Sequence, residues 1–186
     1  GSEGDNRQIY ISGGQVKANG GADSAGIGGA MKCKYQQVNV TIEGGTVIAT
    51  GHSGGAGIGG GRYQQVNGII IKGGNVTAKG SEGSAGIGGG AYGICFDITL
   101  SGGTIKATGG NGAAGIGSGC IAHLQGDIVI SGNKTRITAE GGHSGAGIGT
   151  GEVSTCSSGG VVDIRGGKVT AIGGYYGAGI GGGRAN

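Results

Sequence analysis

The chain has 186 residues, 55 of them glycine, with no proline or tryptophan and a net charge of only +3. Glycine at this level without a three-residue period or proline excludes collagen, and 12% charged residues among recurring Ile, Val and Ala exclude a solvated, disordered coil. Charge is evenly spread along the chain, seven Lys/Arg against five Asp/Glu in residues 1–93 and six against five in 94–186. With no basic run and no long apolar stretch, neither a nucleic-acid partner nor membrane insertion is expected.

In chain order, residues 1–6 read as a tag-like, disordered N-terminus, with Gly1-Ser2 as a cloning remnant and any targeting segment removed. Residues 7–186 read as one domain of repeats. The first repeat is a strand ending at Ile11, a Gly13-Gly14 corner, a strand alternating through Val16 and Ala18, a glycine corner, then Ala25-Gly26-Ile27-Gly28. The string Ala-Gly-Ile-Gly returns at Ala56, Ala85, Ala114, Ala146 and Ala178, at spacings of 31, 29, 29, 32 and 32. Seven residues before each lies another alanine (Ala18, Ala49, Ala78, Ala107, Ala139, Ala171), and two before that Val16, Val47, Val76, Ile105, Ile137 or Val169. Five residues further back sits Ile11, Ile42, Ile71, Leu100 or Ile164. In the fifth repeat that step, from Ile130, is seven, which predicts an insertion around Asn133-Lys134. Asn133 is expected to take the left-handed corner that the second glycine takes elsewhere.

Alternation with period two predicts strands with one buried face, and no segment has the 3.6-residue period of a helix. A period near 30 with three short strands per unit predicts an all-β parallel β-helix, a β-solenoid of six coils. At about 4.8 Å per coil the column is on the order of 29 Å long.

The pattern I-x-G-G-x-V-x-A-x-G followed by A-G-I-G-G-G, present over nearly the whole chain, resembles the glycine-rich right-handed parallel β-helix repeats of bacterial cell-surface and secreted proteins. The resemblance implies a right-handed coil, an extracellular setting and a sugar ligand. Related helices include polysaccharide lyases, adhesins and carbohydrate-binding modules.

Three surfaces are candidates for function. If the Ala and Ile of the motif point inward, Gly26, Gly57, Gly86, Gly115, Gly147 and Gly179, with Gly28, Gly59, Gly88, Gly117, Gly149 and Gly181, form a flat face without side chains for a protein or sugar partner. The loop before each motif presents Asp23, His52, Glu82, Asn111, His143 and the pair Tyr175-Tyr176. A constant scaffold with variable polar and aromatic loop residues is how repeat proteins build a binding edge, and tyrosines stack on sugar rings while their hydroxyls hydrogen-bond. The predicted ligand-binding set is therefore His52, Glu82, Asn111, His143, Tyr175 and Tyr176. After the motif, Lys34-Tyr35-Gln36-Gln37-Val38-Asn39 is echoed by Arg62-Tyr63-Gln64-Gln65-Val66-Asn67, and Tyr63 and Tyr92 are expected to stack on neighbouring coils.

Asp97 and Asp127, each three residues before a core position, fall on adjacent coils, where they are a candidate pair for Ca²⁺ or acid/base work. No other cofactor is expected. Cys33, Cys95, Cys120 and Cys156 lack zinc spacing, and Cys95 with Cys120, or Cys120 with Cys156, would bridge adjacent coils. Thr46, Thr77, Thr104 and Thr108 fall short of the regular array that ice binding favours. The expected function is a non-catalytic module binding carbohydrate or another surface component. A rigid stalk or adhesin repeat region is the structural rival, and a lyase-like enzyme, with a groove centred on Asp97 and Asp127, is the third reading.

Overall fold

The computed structural model describes residues 6–31, 37–153 and 160–185, so Cys33, Cys156 and Lys34 to Gln36 lie outside the described residues, as does the Gly1-Ser2-Glu3 start. Coil one holds β1 (Asn6–Ile11), β2 (Gln15–Asn19) and β3 (Ile27–Gly28), and coil two β4 (Gln37–Ile42), β5 (Thr46–Thr50) and β6 (Ile58–Gly59). Coil three holds β7 (Gln65–Ile71), β8 (Asn75–Lys79) and β9 (Ile87–Gly88), and coil four β10 (Ile94–Leu100), β11 (Thr104–Thr108) and β12 (Ile116–Gly117). In the last part of the chain come β13 (His123–Leu124), β14 (Ile128–Ile130), β15 (Arg136–Glu140), β16 (Ile148–Gly149), β17 (Val162–Ile164), β18 (Lys168–Ile172) and β19 (Ile180–Gly181). First, second and third strands of successive coils pair in parallel into three sheets, each six rungs deep, with β13 an extra partner of β10. The predicted β-solenoid of six coils is the fold.

Register follows the repeat. Ile27, Ile58, Ile87, Ile116, Ile148 and Ile180 face one another in turn along the third sheet. The second-sheet strands alternate exposed and buried, as in Thr46–Thr50 and Asn75–Lys79. The core is a column of Ile, Val, Leu and Ala, most of them wholly buried in coils two to five. Each fully buried Ile is worth roughly 1.5–3 kcal/mol over an exposed one. In the last coil the same slots open to solvent, Ile164 at 42% and Ile180 at 48%, because a rung there has a neighbour on one side only.

Two expectations are corrected. In the fifth coil it is Gly132, not Asn133, that takes the left-handed conformation, with φ 82°. The insertion is closed by the buried Thr135, whose hydroxyl donates to the Ser131 carbonyl at 2.5 Å, and β15 then resumes at Arg136. The glycine ladder, second, is in register but not an open face: Gly57, Gly86, Gly115 and Gly147, with Gly59, Gly88, Gly117 and Gly149, are buried. A Cβ on Gly57 would lie 2.5 Å from the Lys79 backbone nitrogen, and one on Gly88 would overlap the Gly117 carbonyl oxygen. The missing side chains point along the stack at the next coil. The third strands are two residues long and their glycines have φ near +130°, so in–out alternation does not run through them. Coils two to five therefore offer no bare glycine face to a partner.

Candidate functional site

Glu82, Asn111, His143 and Tyr175 each stand three residues before a motif alanine (Ala85, Ala114, Ala146, Ala178), and the fold turns that shared offset into one column of exposed side chains. Adjacent loops are tied by backbone bonds, Gly83 N–H to the Asn111 carbonyl at 2.9 Å and Tyr176 N–H to the His143 carbonyl at 3.0 Å. Ser53 holds this place in coil two; His52 is one residue off the column, exposed, its Nδ1 2.8 Å from Ser53 Oγ.

At the far end the column becomes aromatic. His143 stacks on Tyr175 with centroids 5.5 Å apart, and Tyr176 stands edge-on to both at 5.2 and 4.7 Å. The Arg184 guanidinium lies 5.1 Å from the Tyr176 ring centroid. Tyr175 is 79% exposed and Tyr176 52%, an arrangement open to a flat ligand.

Sequence reasoning missed the opposite wall. Arg62, Ala91, Cys120, Glu152 and Arg184 lie six residues after their motif alanines, and each donates its backbone N–H to the loop of the preceding coil. The Cys120 N–H reaches the Gly83 carbonyl at 2.8 Å and the Glu152 N–H reaches Gly112 at 2.6 Å. The signal was the constant offset, but the neighbour it creates lies on another coil. Between the walls is a cavity of about 480 Å³ that Ser53, Glu82, Asn111, Arg62, Tyr92, Cys120 and Glu152 help to line. Tyr63 and Tyr92 stack as predicted, 5.0 Å apart at 18°, with Arg62 over both rings and 3.6 Å from Asp23. The Arg62 Nε is buried without a hydrogen-bond partner.

Asp97 and Asp127 do lie on adjacent coils, but their carboxylates are engaged by backbone. Asp97 Oδ1 accepts the Asp127 N–H at 3.0 Å, and Asp127 Oδ1 accepts the Val161 N–H at 2.9 Å. Neither aspartate lines the cavity between the walls. Among the described residues no three His, Cys, Asp or Glu side chains cluster as metal ligands.

The two described cysteines are free thiols in different places, which excludes the Cys95–Cys120 bridge. Cys95 points into the core in register with Val66 and Leu124; Cys120 faces the cavity. Burial pushes the Cys95 thiol up to about 12, with Asp97 adding to the rise. Desolvation, then Glu152, raises that of Cys120. Only thiolate reacts, so both should alkylate slowly at pH 8 and faster as pH rises. Iodoacetamide followed by peptide mass spectrometry is expected to label Cys120 well before Cys95, and Glu152→Gln to speed Cys120 by removing one cause of its raised pKa. Equal labelling of the two thiols, or slower Cys120 labelling in the variant, would contradict these placements.

A family model described as "Beta helix repeat" matches residues 9–31, 40–62, 69–91, 98–120 and 162–184, well over half of the chain. The coil it passes over is the one carrying the Asn133-Lys134 insertion. No curated protein and no solved structure matches the chain.

Proposed function

The chain belongs to the beta helix repeat family, and from that premise we propose that it is a non-catalytic module of a secreted or cell-surface protein that binds carbohydrate along its loop edge. The observation that carries this reading is the alignment of Glu82, Asn111, His143 and Tyr175 in one column that runs from the polar cavity to an exposed aromatic platform. Successive coils repeat at about 4.8 Å, close to the length of one pyranose unit, so a linear glycan lying along the axis meets one loop per sugar. Carboxylate and amide oxygens of Glu82, Glu152 and Asn111 accept from hydroxyls, and the buried Arg62 Nε is a donor that a ligand oxygen would satisfy. Tyr175 and Tyr176 supply rigid rings for stacking.

A glycan array on the intact chain, repeated with Tyr175→Ala/Tyr176→Ala, tests the reading. Binding that falls by about tenfold or more in the double variant is the expected result, since two ring contacts of about 0.5–1.5 kcal/mol each are lost. No binding to any glycan would overturn it in favour of a rigid spacer or adhesin stalk. That second reading draws on the near-unbroken register of the three sheets, in which most of the repeated side chains serve the stack itself.

A further inference from the structure

Charge that is even along the chain is sorted by the fold. The second sheet, β2, β5, β8, β11, β15 and β18, displays Lys17, Lys79, Lys106, Arg136 and Lys168 on its outer face against a single acid, Glu140. Five of its six strands thus carry one exposed cation each. Among the described residues only Lys106 of these is ion-paired, to Glu140 at 3.7 Å, and that pair is itself exposed. The first sheet is mixed: it carries Asp97 and Asp163 but also Arg7, and Asp163 is paired with Arg165 at its margin.

The cationic face is also more regular than the first sheet. Its five-residue strands pair one-to-one from coil to coil, whereas the first sheet carries a register shift beside Val38. On this face coil two carries no cation, the exposed Ile48 standing in the column that holds Lys17 and Lys106, while Arg136 and Lys168 share a second column and Lys79 lies in a third. At about 5 Å between coils and about 7 Å between alternate residues, the successive cations from Lys79 to Lys168 fall within the Debye length of about 10 Å at 0.1 M salt, so these four act together. Between them stand the exposed hydroxyls of Thr46, Thr77, Thr104 and Thr170. No aromatic residue lies on these strands, so bases have no stacking platform there. Duplex DNA, with one charge per roughly 1.7 Å, is far denser than one cation per coil.

We propose that this sheet face docks a linear anionic polysaccharide, its carboxylates lying over the cations that coils three to six carry and its hydroxyls meeting the threonines. The site shares no residue with the loop edge, so either can fail alone. The test is binding of the intact chain to alginate, with uncharged dextran as control, across a salt series. The expected result is binding to alginate but not dextran, weakening as salt rises, and reduced about tenfold by Lys106→Glu/Lys168→Glu, since exposed charge contacts each contribute modestly. Lys17→Gln/Lys79→Gln, which introduces no like-charge contact with Glu140, should weaken binding in the same direction. Alginate bound no better than dextran would overturn the proposal. So would full affinity in both lysine variants with thermal midpoints unchanged, or tighter binding to duplex DNA or phosphatidylserine vesicles than to alginate.

Discussion

Gly88→Ala is expected to lower the stability of the solenoid by about 4 kcal/mol or more, while Gly13→Ala shifts it by about 0.5 kcal/mol at most. Gly88 sits in the middle of the third sheet with φ +134°, a conformation L side chains rarely adopt, and a Cβ there would overlap the Gly117 carbonyl oxygen. Neither relief is open: the carbonyl belongs to the backbone of the next rung, which Gly149 holds in register from the other side. Moving it would loosen the Ala-Gly-Ile-Gly stack on both sides of the substitution. Gly13 has nothing within 4 Å of a built Cβ and an ordinary φ. Urea and thermal unfolding followed by circular dichroism measure both; equal midpoints for the two variants would refute the account of the glycine ladder.

The second large effect sets one motif isoleucine against another. Ile116→Ala should cost about 3 kcal/mol, because the side chain is fully buried between Ile87 and Ile148 and its removal leaves a cavity in a packed column. Ile180→Ala, the same letter in the same slot, should cost about 1 kcal/mol or less, since that side chain is already 48% exposed in the last coil. Unfolding midpoints again decide it. Similar losses from the two would mean that the end coil is covered in solution, or that the solenoid unfolds in units smaller than the whole stack.

These pairs show where sequence reading held and where it stopped. The offsets of Ile, Val and Ala from Ala-Gly-Ile-Gly recur every coil, so the inward ladders, the three strands per unit and the Tyr63–Tyr92 stack could be read directly. That the loop residues Glu82, Asn111, His143 and Tyr175 form one column emerges only from the stacking of their loops, but as candidates they were legible. Their facing wall was not, because Cys120 meets Gly83 and Glu152 meets Gly112 only through hydrogen bonds across coils. The glycine face was misread because alternation was carried through two-residue strands whose positive φ breaks it. Asp97 and Asp127 were placed on adjacent coils correctly, yet what their carboxylates bind is a neighbouring backbone N–H that no side-chain pattern reveals.

By itself, then, the sequence determined the period, the coil number and which side chains face inward, because each of these is a repeating local spacing that only stacking can satisfy. The tertiary structure alone decided the rest. Which loop borders which turn, which glycines are shut between rungs, and which cations gather on one sheet depend on contacts between residues about one coil apart. Stacking brings such residues within a hydrogen bond of each other, and so it sorts an even charge into a basic sheet and builds a cavity between two walls.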